Sequence, residues 1–303
     1  MSDLSRSTTS RRKLGKTGLE VSALAWGMWR FAGDDLDAAT ARVEAALAAG
    51  IDFFDTADIY GAGGDGFGAA EALLGRVFAR APSLRQNIVL ATKGGIEMGV
   101  PYNSSAAYLV AACEASLKRL GVERVELYQI HRPDSLAHPA EVAAALDQLR
   151  SAGKIAEAGV SNYTPPQVAA LRAYLPFELA STQPEFSALA IAPISDGVLD
   201  QAMQHGMGVM AWSPLGGGRL GGASDDKRVQ TVATALDEIA ERQGVSRASV
   251  AYAWIMAHPS GAIPIVGSQQ PERIAESVEA LKVSLSRAEW YAVLTASRGE
   301  RLP

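Results

Sequence analysis

Cysteine is nearly missing from this chain: Cys113 stands alone among 303 residues. One thiol excludes an intrachain disulfide framework and any multi-thiolate metal site. Histidine is also scarce. The four residues (131, 138, 205 and 258) show neither an HExxH pattern nor a clustered His/carboxylate set, so no metal is expected. No uninterrupted apolar stretch approaches the ~18 residues of a membrane span, so no membrane partner is expected. A basic excess is absent as well: 28 Lys and Arg face 33 Asp and Glu, for a net charge of −5. Cations scattered in this way offer no concentrated face for a polyanion, which excludes nucleic acid as a partner. The pair Arg11-Arg12 is followed by KLGKTGLEVS instead of an apolar segment, so export is not supported and a cytoplasmic protein is expected.

What is plentiful is core-forming material. The hydrophobic fraction is 48% against 20% charged residues, an ordinary globular balance. Short apolar runs at 22–27, 52–55, 87–93, 125–131, 156–161, 179–183, 209–213 and 262–266 alternate with helical patterns. Parallel neighbours need a crossover, so this alternation implies parallel strands joined by helices. Helix punctuation agrees: Gly50 and Gly153 stand just past two helical patterns, Pro139 opens one, and Thr164 and Ser246 precede others as N-caps. Eight such units with no linker read as one α/β domain, a (β/α)8 TIM barrel over 11–303 behind a flexible N-terminus at 1–10. RRKLG and LEVSAL, turning at Lys16-Thr17-Gly18, predict a β-hairpin closing the barrel bottom.

Three of the apolar runs end in chemistry. Asp55, Lys93 and His131 close IDFFD, NIVLATK and ELYQIH, at the strand ends where barrels present side chains to an active site. Alternation along a strand puts Asp55 on one face with Phe53, Lys93 with Ala91 and Val89, and His131 with Gln129 and Leu127. Tyr60 follows Asp55 by five residues in DTADIYG, far enough for the loop to fold back over the mouth. A phenol, an ammonium, a carboxylate and an imidazole gathered there can donate a proton to a carbonyl. A cation beside a phenol favours the phenolate, which makes tyrosine usable as acid and as base.

With DTADIYG at 55–61, ATKGG at 91–95, IHRPD at 130–134, GVSNY at 159–163, Gln183, AWSPLGGG at 211–218 and VGSQQPERIAESV at 266–278, the chain resembles an aldo-keto reductase along nearly its whole length. The resemblance implies NADPH-dependent reduction of an aldehyde or ketone, with Tyr60 as general acid. It implies that Lys93, paired with Asp55, lowers the phenol's pKa and that His131 orients the substrate carbonyl. For the cofactor, NADP(H), it implies Ser161, Asn162 and Gln183 at the carboxamide and Trp212 stacked on the nicotinamide. Ser213, Leu215, Gly216 and Gly218 would wrap the pyrophosphate, with Arg219 adding charge. Ser268 and Arg273 would grip the 2′-phosphate, and Glu276 would contact adenine. Where the family often carries lysine and asparagine, this chain has Gly267 and Ser277.

Trp29 and Phe31, just beyond the first strand, are expected to line the substrate entrance for a small-molecule carbonyl compound, because loops on that face set substrate choice in barrels. Other candidates have plainer readings. Cys113, Trp254 and Met256 lie on apolar helical faces and read as packing, and His138, His205 and His258 read as surface or helix-end residues. On composition GGGRLGG at 216–222 reads as a flexible linker; its place after a strand favours phosphate contact. Two other functions stay open: a nicotinamide-binding redox sensor with slow turnover, and a Schiff-base lyase using Lys93.

Overall fold

The computed structural model describes residues 10–302. A hairpin of β1 (Arg11–Lys13) and β2 (Glu20–Ser22) precedes eight parallel strands: β3 (Ala25–Gly27), β4 (Phe53–Asp55), β5 (Val89–Gly94), β6 (Val125–Ile130), β7 (Ile155–Ser161), β8 (Ser181–Gln183), β9 (Gly208–Ala211) and β10 (Ile263–Val266). They pair in chain order and close where β10 meets β3, giving a (β/α)8 TIM barrel. Helices α1 (Leu36–Ala48), α2 (Ala69–Arg80), α3 (Pro82–Arg85), α4 (Ala106–Leu120), α5 (Pro139–Ser151) and α6 (Pro165–Arg172) fill the first half of the outer ring. The second half is α7 (Val198–His205), α8 (Lys227–Gln243), α9 (Arg247–Met256), α10 (Pro271–Ser277) and α11 (Arg287–Arg298). The expectation of a flexible 1–10 lies outside the described residues except at Ser10, whose carbonyl accepts from the Ala23 amide.

Two differences from the sequence reading have a simple origin. The run at 22–27 is two elements, because Ser22 ends the hairpin and its Oγ accepts from the amides of Asp52 and Phe53 across the sheet. The run at 209–213 stops as a strand at Ala211, since Ser213 takes a positive φ of 50° that no strand tolerates.

The hairpin does close the bottom. Leu14 and Val21 join Ala25, Phe53, Ala91, Leu127, Met210 and Ile263 in one buried cluster inside the strands. Gly15, at φ +60°, has room for no side chain: a Cβ there would lie 2.6 Å from the Gly206 carbonyl oxygen and 2.8 Å from that of Ala180. The larger core lies between sheet and helices, where Trp254 stacks on Trp290 at 5.0 Å and each indole N–H donates to the other's carbonyl. Cys113 is fully buried there, its thiol pushed up to about 12 by burial. His138 caps α5, its Nδ1 accepting from the Ala140 amide. Among the described residues no helix is long and apolar enough to cross a membrane.

Candidate active site

The open end of the barrel holds a cavity of about 1280 Å³ that runs from the strand ends across the loops after β9 and β10. At its floor Lys93 is fully buried and its ammonium is completely engaged. Nζ donates to Asp55 Oδ2 at 2.7 Å, to the Thr56 carbonyl at 2.7 Å and to Tyr60 Oη at 3.1 Å. Three protons meet three acceptors, the full capacity of an ammonium. Tyr60 bends back over this ion pair, 8% exposed, with its ring on the cavity wall and Nζ 4.8 Å from the ring centroid. Its amide is held by the Ala57 carbonyl. His131, one residue past β6, stands edge-on to the Tyr60 ring at 5.8 Å.

Burial dominates the proton equilibria here. It pushes the Tyr60 phenol up, and Lys93 offsets that only in part. The expectation that Lys93 lowers this pKa therefore holds for its own contribution and not for the sum, because desolvation of a phenolate outweighs one cation already paired with Asp55. For Lys93, burial pulls down, but Asp55 and Tyr60 outweigh it and hold the ammonium above its ordinary value. His131 is driven well below the ordinary histidine value by burial, then by Lys93 and Arg132. The imidazole is neutral at physiological pH, with one N–H donor and one acceptor, and Nδ1 has no partner among the described residues.

Sequence reasoning did not assign Gln129 and Gln183 their place under this pair. Both amides donate to Asp55 Oδ1, at 3.3 and 3.0 Å, so the carboxylate oxygen not used by Lys93 is held as well. Gln129 faces the barrel axis on β6 by simple alternation, which was its only signal. Gln183 serves Asp55 and also reaches the cavity.

The expected cofactor positions form the opposite wall. Ser161 Oγ donates to the Gln183 carbonyl, Asn162 Nδ2 to Ser161 Oγ and the His131 carbonyl, and Trp212 Nε1 to Asn162 Oδ1. The Trp212 ring lies under the Arg132 guanidinium at 5.7 Å. Asn162 and Ser213 are the two non-glycine residues at positive φ among those described, and both line the cavity. Strained backbone of this kind persists where its surroundings over-determine it, which is characteristic of binding sites. Leu215, Gly218, Ser268, Arg273 and Glu276 also line the cavity.

Three expected residues sit elsewhere. Phe31 is 1% exposed and packs edge-on against Trp26 at 5.6 Å, because a turn closed by its amide on the Met28 carbonyl sends the ring back into the core. Only Trp29 stays at the entrance, 62% exposed and edge-on to Tyr60 at 5.1 Å. Gly216 is pressed against Leu189, and it is Gly217 that opens on the cavity. Arg219 turns to the Gly216 carbonyl, 2.9 Å from Nε, and braces its own loop.

The glycine segment is an ordered cradle and not a linker. Gly216, Gly217 and Gly218 take consecutive left-handed conformations, which only glycine adopts in series without strain. Arg247, which carried no recognisable signal in the sequence, anchors the cradle: its fork binds Asp237 at 2.7 and 2.6 Å while NH1 donates to the Gly222 carbonyl. Cβ-free backbone at Gly217, Gly218, Gly221 and Gly222 faces the cavity with nothing within 4 Å of a Cβ position. At the far end Gln269 leaves Oε1 buried without a partner among the described residues. A phosphate cradle, an indole wall and an amide acceptor in waiting fit a dinucleotide.

Comparison with known proteins agrees with this geometry. Residues 23–297 match the Aldo/keto reductase family. The chain is 57% identical to a 6-dehydroglucose reductase of Novosphingobium aromaticivorans, covering 96% of this chain and 97% of that one. It is 38% identical to a 6-dehydroglucose reductase of Agrobacterium fabrum, over 94% and 97% of the two chains. Among solved structures, the thermostable aldo-keto reductase Tm1743 in complex with the inhibitor epalrestat superposes with a TM-score of 0.81 at 24% identity, covering 95% of this chain and 100% of that one; it supports the fold. The chain belongs to the aldo/keto reductase family, a family of oxidoreductases that act on carbonyl groups.

Proposed function

We propose that this protein reduces the aldehyde of a small polar substrate with NADPH, and that the substrate is a sugar aldehyde of the 6-dehydroglucose type. The observation that carries the chemistry is the buried Asp55–Lys93–Tyr60 chain, in which Lys93 is enclosed and Tyr60 and Asp55 line the cavity. A reduced nicotinamide, when bound, supplies the hydride. Tyr60 keeps its Oη proton at neutral pH, since burial raises its pKa, and passes it to the carbonyl oxygen as charge develops there. Lys93 Nζ, already 3.1 Å from Oη, stabilises the phenolate left behind. Neutral His131 offers an N–H to the same oxygen without adding a positive charge.

The sugar reading rests on the two 6-dehydroglucose reductases and on the mouth itself, which offers the Trp29 ring and the Arg132 guanidinium on the cavity wall. A lyase is disfavoured: Lys93 has no free lone pair and all its protons are committed. A panel of aldehydes including 6-dehydroglucose, followed by NADPH absorbance, tests the proposal. Fast oxidation of NADPH supports it. Tight NADPH binding with negligible turnover on every aldehyde would instead mark a redox-sensing subunit.

Two predictions arise here. Lys93→Met removes the cation that holds Tyr60 down, so the pKa governing alcohol oxidation should move upward and the rate at neutral pH should fall. A pH profile of kcat in that direction checks this, and an unshifted profile in a folded variant would uncouple the two residues. Arg273→Ala should weaken NADPH binding by roughly 10- to 100-fold, the worth of one charge-assisted contact, and leave NADH nearly unaffected. Quenching of tryptophan fluorescence with both cofactors reads it; equal losses would place Arg273 away from the 2′-phosphate.

A further inference from the structure

Gly267 leaves a gap in the cavity wall beside Ser268, and a second guanidinium fills it. Arg30, on the loop after β3, places NH1 3.5 Å from where a Cβ of residue 267 would stand. Arg30 and Arg273 both line this end of the cavity, together with Ser268 and the buried Oε1 of Gln269, which has no partner among the described residues. Both arginines are exposed, and neither forms an ion pair with any described residue. The loop bearing Arg30 is itself tied down: the Met28 amide donates to the Asp55 carbonyl at 2.9 Å and the Phe31 amide to the Met28 carbonyl at 3.0 Å, while β3 before it is joined to the far wall by Gln269 Nε2 donating to the Gly27 carbonyl and Trp26 Nε1 donating to the Ser268 carbonyl. Two guanidinium forks free of any ion pair with a described residue, beside a serine, form a donor set suited to a dianionic phosphate monoester.

We propose that Arg30 is a cofactor-selecting residue that binds the 2′-phosphate of NADPH from the β3 side, in the space that Gly267 leaves open, while Arg273 binds it from α10. A lysine at position 267 and Arg30 would compete for one volume, so the glycine and the arginine belong together. This rests on the NADPH reading above and goes beyond it by naming the residue that replaces the absent lysine. Contact with an exposed arginine is partly screened, so the expected loss is about 10-fold, near the low end for a charge-assisted bond.

The test is titration of parent and Arg30→Met with NADPH, NADH, adenosine 2′,5′-bisphosphate and ADP, by calorimetry at low and high salt. Met retains most of the stem and deletes the fork. The variant should lose about 10-fold for NADPH and for the bisphosphate, and nothing for NADH or ADP, with the difference shrinking in high salt. Gly267→Lys introduced into Arg30→Met should restore NADPH affinity. Equal losses for all four ligands would place Arg30 on the shared diphosphate, and no loss would remove it from the site; either result overturns the proposal while the parent's NADPH preference still stands. A parent that binds NADPH no better than NADH overturns the reading it rests on, and the proposal falls with it.

Discussion

Tyr60→Phe should cut the rate of aldehyde reduction by ~10² to 10⁴, the usual contribution of a positioned general acid, with cofactor affinity nearly unchanged. The ring's surroundings explain why the loss should be confined to chemistry. Its packing against Trp29 and His131 is edge-on ring contact that phenylalanine reproduces, and the phenol oxygen's hydrogen bond comes from Lys93 Nζ. That ammonium keeps Asp55 and the Thr56 carbonyl as acceptors in the variant. One of three bonds is lost on a buried cation, so some loss of stability should accompany the loss of rate. Single-turnover measurement with bound NADPH separates chemistry from product release. A single-turnover rate near the parent's would mean that another group, His131 first among them, delivers the proton.

The barrel and the meeting of Asp55, Lys93 and Tyr60 at its mouth were legible in the sequence because both depend on short-range pattern. Period-two alternation put Asp55 and Lys93 on the inner face, and that requires no knowledge of distant contacts. The five-residue step to Tyr60 worked for the same reason. Phe31 was misread because its direction is set by one turn hydrogen bond to Met28 and by the edge of Trp26, neither visible in spacing. Arg219 and Arg247 were effectively exchanged in importance: the arginine inside the glycine run looks like the phosphate ligand, whereas the one 28 residues later holds the run in shape through Asp237. Long-range pairings of this kind leave no periodic trace. The sum of burial and charge at Tyr60 was illegible too, since a pattern shows which groups meet but not how dry their meeting place is.

Asp58 is the largest such omission, and it gives a second strong expectation: Asp58→Asn should flatten the pH dependence of stability. This carboxyl lies two residues before Tyr60, fully buried, with no well-formed hydrogen bond on either oxygen among the described residues. Burial, reinforced by Glu71 and opposed by Arg119, the Ile59 backbone amide and Lys93, pushes its pKa up from 3.8 to about 8. Glu71 is itself fully buried, accepting from Thr92 Oγ1 and paired with Arg119 at 2.7 Å, so the available cation is already committed. The folded protein thus holds a proton that the unfolded chain releases near pH 4. Stability should then fall as pH rises between those two values, by about 1.4 kcal/mol per pH unit from this one group. Asparagine has the shape of the protonated acid and no charge to bury, so the variant should lose that slope. Between pH 5 and pH 7 its stability should gain on the parent's by about 2 to 3 kcal/mol, an order-of-magnitude figure for a buried carboxyl. Urea unfolding of both proteins across that range measures the difference directly, free of the other titrating groups they share. Parallel curves would mean that Asp58 ionises as readily inside the fold as outside it, and that its surroundings are far more polar than two oxygens without a well-formed hydrogen bond indicate.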